Sequence, residues 1–126
     1  MRTAVPADYI PIALTVLLTV YSQIVFKWQI DIVGGMPAEW SDRIGYFVKL
    51  MLNFWVITSF AAAFLASFTW AAALSKFDLS YAYPFTSLAY VTVLFLSAPL
   101  FREGLTLPKV LGTAIIVVGV YVVSRG

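Results

Sequence analysis

The stretch 50–75, LMLNFWVITSFAAAFLASFTWAAALS, runs for 26 residues without a charged side chain. A helix needs about 20 apolar residues to cross a hydrocarbon layer of roughly 30 Å. Three other uncharged stretches, of 18, 23 and 15 residues, lie at 9–26, 79–101 and 110–124. Four such stretches leave little of the chain for a soluble domain. The pattern therefore predicts an all-α integral membrane protein.

We predict four transmembrane helices within a single domain that covers residues 1–126. The expected helices span about 9–30, 52–74, 81–101 and 106–124. The fourth includes Lys109, whose ammonium can extend along its methylenes to the headgroups. Gly34 and Pro37 mark the end of the first helix. Pro84 has no N–H to donate, so we expect a kink or local unwinding near the start of the third helix.

Residues 37–50, between the first two helices, form an amphipathic pattern. The apolar residues recur at spacings of four, three and four, which is one helical face: Trp40, Ile44, Phe47 and Met51. Glu39, Asp42 and Lys49 fall outside that face. The pattern predicts a helix that lies in the membrane interface. The alternative is that the segment extends the second transmembrane helix out of the membrane.

The composition excludes several classes of function. The chain is 62% hydrophobic and 11% charged, and it contains no His and no Cys. Zinc and thiolate chemistry therefore lack their usual ligands, and no pair of acids lies within a membrane span. A net charge of +2 is spread over short loops, whereas nucleic-acid binding needs clustered cations. We predict no enzyme, no metal site, no cofactor and no nucleic-acid partner.

The cations divide unevenly between the two sides of the membrane. One side holds Arg2, Lys76 and Arg125, and the other holds Lys27, Arg43, Lys49, Arg102 and Lys109. Cytoplasmic loops carry an excess of Lys and Arg. The balance favours the second side as cytoplasmic, although a difference of three against five also permits insertion in both orientations.

The second half of the chain carries short motifs that occur together in one transporter family. The run SYAYP at 80–84 is followed by Arg102-Glu103, Pro108 and Gly119. This series resembles the small multidrug resistance proteins of the drug/metabolite transporter superfamily. The resemblance covers four helices, which is essentially the whole chain. It implies a transporter in the bacterial inner membrane.

The first helix departs from the drug exporters of that family. Those exporters bind protons and cationic substrates at a membrane-embedded Glu, eight residues before a lysine that matches Lys27, and this chain has Thr19 there. The pattern Gln23-x-x-x-Lys27 and the run at 82–84, Ala-Tyr-Pro, are similar to the aminoarabinose-phosphoundecaprenol flippase subunits. That branch implies movement of a polyprenyl-phosphate-linked sugar. The alternatives are an exporter of small organic cations and a membrane assembly factor that transports nothing.

Thr19, Gln23 and Lys27 are the first candidate substrate-binding residues. They recur every four residues and form one polar stripe on an apolar helix. Lys27 can pair with the phosphate of the lipid, and Gln23 can donate to phosphate or sugar oxygens. The alternative is that Lys27 extends to the headgroups while Gln23 bonds a neighbouring helix.

The third helix supplies the other candidate substrate-binding residues. Tyr83, Ser87 and Tyr90 share a face at α-helical spacing, and hydroxyls on aromatic rings suit sugar recognition. The alternative for the tyrosines is a place in the aromatic belt of the membrane interface. Arg102, at the far end of this helix, can hold a phosphate at the other surface. Its alternative is a salt bridge with Glu103 or ordinary contact with lipid headgroups.

Gly112 and Gly119 predict how two chains associate. They are seven residues apart, so they lie on nearly the same face of the fourth helix. Small residues let two helices approach closely in a membrane. The same spacing marks the dimer contact of the family that the chain resembles, which implies a homodimer or a heterodimer with a paralogous four-helix chain. The alternative is packing within one chain against the alanines of the second helix.

Overall fold

A computed structural model describes residues 5–126, in which the secondary structure is helical throughout. Within this range, four helical stretches are long and apolar enough to cross a membrane: Pro6–Val33, Phe54–Leu74, Leu79–Phe101 and Leu107–Ser124. The prediction of an all-α membrane protein is therefore confirmed. Arg2, which entered the count of cations, lies outside the described residues.

The helices α1 (Ile10–Val33) and α3 (Phe54–Leu74) pack against each other as the central antiparallel pair. A 3₁₀ turn, Pro6–Tyr9, precedes α1. Gly34 ends α1 with φ at +105°, a conformation that glycine adopts without steric cost. The helix runs three residues beyond the predicted end near residue 30, because it continues to the first glycine.

Small and hydroxylated side chains fill the contact between α1 and α3. On α1 the buried polar residues recur every seven positions, at Thr15, Ser22 and Gln29. They face the small buried residues of α3, including Ser59, Ala62 and Ala66. Such side chains let two backbones approach closely, and each interhelical hydrogen bond in a membrane contributes about 0.6 kcal/mol.

The amphipathic segment forms a separate helix, α2 (Trp40–Met51). The helical conformation is interrupted at Leu52 and Asn53, between α2 and α3. Asn53 is extended there, with ψ at 128°. The Asn53 Oδ1 atom accepts hydrogen bonds from the backbone N–H groups of Trp55 and Val56, at 2.9 and 3.2 Å. This cap starts α3 afresh, so the alternative of one continuous helix is wrong. The interfacial position of α2 stays a prediction.

The third crossing segment is interrupted at Pro84, as predicted. A short helix α4 (Leu79–Ala82) leads into a 3₁₀ turn, Tyr83–Thr86, and then into α5 (Ser87–Phe101). Because a proline cannot donate a helical hydrogen bond, the backbone tightens into the 3₁₀ form around it. Arg102 ends α5 in the left-handed region, with φ at 54°.

The last helix, α6 (Leu107–Ser124), is held loosely by the rest of the chain. Thr106 caps its first turn through a hydrogen bond from the Lys109 N–H. The helix contacts α5 and the 3₁₀ turn, and most of its surface is exposed. A Cβ atom added at Gly112 or Gly119 would meet nothing within 4 Å. Neither glycine therefore packs against the alanines of α3, and that alternative is wrong for the described chain.

Candidate functional site

A groove between α1, α3 and the 3₁₀ turn combines hydroxyl groups with aromatic rings. It has a volume of about 270 Å³. Its polar and aromatic lining comes from Thr15, Ser67, Trp70, Tyr83 and Thr86, and two alanines of α3 complete it. Three separate elements meet here, so a ligand would contact all of them. We call this site the hydroxyl groove.

The 3₁₀ turn explains why Tyr83 and Thr86 both face the groove. Side chains three residues apart eclipse in a 3₁₀ helix, where there are three residues per turn. The Thr86 hydroxyl donates to the carbonyl oxygen of Tyr83, at 2.6 Å. The Tyr83 ring meets Trp70 edge to face, with the ring centroids 6.2 Å apart. The 3₁₀ turn that forms at Pro84 therefore places Tyr83 and Thr86 in the same site.

Two hydrogen-bond donors of the groove have no partner within residues 5–126. They are the Tyr83 phenol and the Trp70 indole N–H. Tyr83 is 62% exposed and Trp70 is half-buried. The Thr15 hydroxyl, in contrast, donates to Pro11 and lies 2.7 Å from the Thr69 hydroxyl. Because both donors are accessible and unpaired, they can donate hydrogen bonds to a polar ligand.

The polar stripe on α1 lies apart from the hydroxyl groove. Thr19 is half-buried, while Gln23 and Lys27 are exposed. Lys27 is twelve residues beyond Thr15, which is about 18 Å along a helix. The predicted substrate-binding residues of α1 therefore do not meet Tyr83 in one site within the described chain.

Lys27 has an ionic partner that the sequence analysis overlooked. Its Nζ atom lies 3.1 Å from Asp31 Oδ1, and both side chains are about half exposed. The spacing of four residues on one helix indicates such a pair. The sequence analysis assigned Lys27 to the substrate or to the headgroups and did not pair it with Asp31.

Gln29, rather than Gln23, is the glutamine of α1 that hydrogen-bonds a residue of another element. Gln29 is only 4% exposed, and its Oε1 atom accepts from Asn53 Nδ2 at 3.0 Å. The Gln23 side chain makes no hydrogen bond within residues 5–126. Its amide is free to reach a substrate or a second chain.

The remaining candidates on the third crossing segment also lie outside the hydroxyl groove. The Ser87 hydroxyl donates to the Pro84 carbonyl at 2.6 Å, and Tyr90 is exposed. Arg102 is exposed, and the described residues contain no salt bridge between it and Glu103. The helical spacing that grouped Tyr83 with Ser87 and Tyr90 does not hold across the 3₁₀ turn.

A second cluster of polar contacts joins several segments of the chain near the N-terminal end of α1. The hydroxyls of Tyr9 and Tyr81 lie 2.8 Å apart, and the Tyr81 hydroxyl donates to the Ser124 carbonyl at 3.4 Å. Beside them, Lys76 Nζ lies 3.5 Å from Asp8 Oδ1. These contacts join residues up to 72 positions apart. They bring the first, third and fourth crossing segments together near the hydroxyl groove.

Within residues 5–126 no three acidic side chains lie close enough to hold a metal ion. No protein-family model matches the chain, and no solved structure matches it.

Comparison with known proteins identifies relatives that share nearly the whole length of the chain. A protein of Photorhabdus laumondii named "Probable 4-amino-4-deoxy-L-arabinose-phosphoundecaprenol flippase subunit ArnF" is 32% identical over 119 residues, covering 89% of this chain and 92% of the relative. A protein of the same name from Pseudomonas paraeruginosa is 30% identical over 95% of this chain and 86% of its own. A subunit named ArnE, from Pseudomonas savastanoi, is 26% identical over 86% of this chain and 90% of its own. The chain therefore belongs to the family of 4-amino-4-deoxy-L-arabinose-phosphoundecaprenol flippase subunits.

Proposed function

We propose that the chain is a subunit of a flippase that moves a polyprenyl-phosphate-linked sugar across the bacterial inner membrane. The similarity to ArnF proteins over nearly the full length of both chains carries this proposal. Those relatives are named as subunits of a flippase for aminoarabinose carried on phosphoundecaprenol. A chain that crosses the membrane four times and has little mass outside it suits that task.

We assign the sugar to the hydroxyl groove. A sugar ring presents both C–H surfaces and hydroxyls, which match the aromatic rings and the free donors of Trp70 and Tyr83. A groove of about 270 Å³ also provides room for a single sugar ring. These contacts would replace part of the water that the headgroup loses inside the membrane.

We assign the phosphate to the polar stripe of α1. Moving an ion into a low-dielectric layer costs several kcal/mol even after relaxation. Lys27 would exchange its partner Asp31 for the phosphate, and the free amide of Gln23 would donate a hydrogen bond. Thr19 continues the stripe, and Arg102 would hold the phosphate at the membrane surface. Ser87 and Tyr90 remain candidates for contacts with the sugar.

We further propose that two four-helix chains form the transport path, with α6 as their contact. Gly112 and Gly119 leave open space on α6 that a second helix would fill. The names ArnE and ArnF describe paralogous subunits among the relatives, which favours a heterodimer. A dimer of this kind is what the resemblance to the small multidrug resistance proteins implies.

The test of this function is complementation. A bacterial strain that lacks its own ArnF subunit would receive this chain, and mass spectrometry would measure aminoarabinose on lipid A. We expect the modification to return when the chain is present together with ArnE or a second copy of itself. Membrane insertion without any modification in either combination would contradict the proposal.

A control separates the flippase from a cation exporter. Because Thr19 stands where the exporters carry a proton-binding Glu, we expect reconstituted protein to move no protons when a quaternary ammonium compound is added. The measurement uses proteoliposomes that contain a pH-sensitive dye. Proton movement that depends on the cation would favour the exporter instead.

A further inference from the structure

Helix α2 carries an exposed apolar face. It connects the ends of two helices that are long and apolar enough to cross a membrane, so we expect it to lie close to the boundary of the bilayer. Trp40 and Ile44 are 78% and 73% exposed, and Phe47 on the same face is half exposed. Leu50, in contrast, is buried and anchors the helix to the rest of the chain. The apolar face is therefore left uncovered by residues 5–126.

Arg43 lies at the edge of this face in a fixed position. Its Nε atom donates to the Pro37 carbonyl at 3.0 Å, and Nη2 donates to the Ala38 carbonyl at 3.4 Å. The guanidinium also lies over the Trp40 ring, 4.3 Å from its centroid. Two of its five N–H groups are thus used, and three remain.

The charge of Arg43 has no acidic partner among the described residues. Glu39 and Asp42 are close in sequence, but neither forms a salt bridge with it. A half-buried guanidinium with free donors is well suited to a phosphate, because its planar fork matches two phosphate oxygens. The backbone bonds and the tryptophan ring hold that fork in place before any ligand arrives.

An apolar cleft of about 590 Å³ opens beside Arg43. Its lining consists of Met36, Trp40, Arg43, Ile44 and Phe47, so the guanidinium is its single charged group. One cation next to one apolar cleft suits a lipid whose phosphate binds the guanidinium while its apolar chain packs against the cleft.

We propose that this cleft binds a polyprenyl phosphate, with the phosphate on Arg43 and the first isoprene units against Trp40, Ile44 and Phe47. The inference rests on the proposed function, since it assigns the place where the lipid-linked sugar enters the protein. The cleft follows the end of α1, whereas the hydroxyl groove lies near its start. The lipid therefore loads at one end of the bundle, and its sugar reaches the groove toward the other end.

The experiment measures binding of undecaprenyl phosphate without sugar to the purified full-length chain, by native mass spectrometry in detergent. We expect Arg43→Ala to weaken binding at least tenfold. Arg43→Lys should recover part of it, because the charge remains while the fork and the ring contact are lost. Lys49→Ala is the matched control, since it removes an exposed cation from another face of α2 and should leave binding unchanged. Circular dichroism checks that each variant is folded.

Two results would overturn the site. One is equal binding by the wild type and Arg43→Ala. The other is displacement of the ligand by phosphatidylglycerol at equal concentration, which indicates general attraction to anionic lipid. Binding that depends on Arg43 in a chain that fails the complementation test would instead reject the proposed flippase and leave the site standing.

Discussion

Tyr83 is the residue on which the hydroxyl groove depends most directly. Its ring contacts Trp70, and its phenol faces the groove without a partner among the described residues. The two features are separable by mutation, because phenylalanine retains the ring and removes only the hydroxyl.

We expect Tyr83→Phe to lower the rate of lipid A modification about fivefold, since one neutral hydrogen bond contributes about 1 kcal/mol. Tyr83→Ala should lower it further through the loss of the ring. The measurement is mass spectrometry of lipid A in the complemented strain, at matched expression. Tyr121→Phe is the control, because Tyr121 is exposed on α6 and does not line the groove. Unchanged modification in Tyr83→Phe would remove the phenol from the site.

Lys27 allows a test of its role that separates substrate binding from a structural ion pair. Exposed ion pairs contribute about 0–1 kcal/mol, so losing the contact with Asp31 should barely affect folding. We expect Lys27→Ala to abolish lipid A modification at normal expression, and Asp31→Asn to retain it. The exchanged pair, Lys27→Asp with Asp31→Lys, keeps the attraction but moves the cation by one turn. Normal activity of the exchanged pair would mean that the ion pair is structural.

At the scale of the helices, the junction between α2 and α3 depends on a single side chain, that of Asn53. Asn53 caps α3 with its Oδ1 atom and donates from Nδ2 to the buried Gln29 of α1. One residue thus separates α2 from α3 and fixes the position of α3 against α1.

We expect Asn53→Ala to destabilise the fold by about 2–4 kcal/mol. The lost cap contributes about 1 kcal/mol, and an unpaired buried amide adds about 1–3 kcal/mol. Asn53→Asp should remain close to the wild type, because a carboxylate still caps α3 and accepts from a rotated Gln29 amide. Circular dichroism of the purified protein during heating, at one scan rate, measures the apparent midpoint. Equal midpoints for Asn53→Ala and the wild type would show that the junction carries little stability.

At the scale of the whole molecule, we propose that one chain by itself does not enclose a transport path. Its α6 is exposed over most of its surface, and only α1 and α3 form an extensive contact. Gly112 and Gly119 give α6 a face without large side chains, and no atom of the described chain outside α6 lies within 4 Å of where their Cβ atoms would be. A second chain would cover this face and enclose a path for the headgroup.

We expect replacement of both glycines by isoleucine to weaken association and to abolish lipid A modification together. Bulky side chains would separate two helices that otherwise approach closely. Crosslinking in membranes and mass measurement in detergent report the association. The control is Ala114→Ile with Val118→Ile, which adds bulk to other exposed faces of α6. An active monomer that the glycine substitutions do not affect would contradict the dimer.

The sequence by itself determined the four crossing helices, the break at Gly34 and the unwinding at Pro84. Each of these depends on properties that act locally along the chain: the transfer of consecutive apolar residues into lipid, the freedom of glycine and the missing N–H of proline. The candidate residues Lys27, Gln23 and Tyr83 could also be recognised from the sequence, because they are polar groups within or beside apolar stretches.

The tertiary structure decided which residues share a site. Thr15, Ser67 and Tyr83 meet in one groove although they come from three crossing segments, and Gln29 finds Asn53 across a loop. Ser67 was not among the candidate residues, because its position within α3 says nothing about its neighbours on other helices. In a membrane, where lipid competes equally for apolar surfaces, helix contacts depend on close fit and hydrogen bonds between distant residues. A local sequence pattern cannot predict these contacts, because they join residues that are distant in the chain. The same holds for the contact between Tyr83 and Trp70, which depends on the 3₁₀ turn.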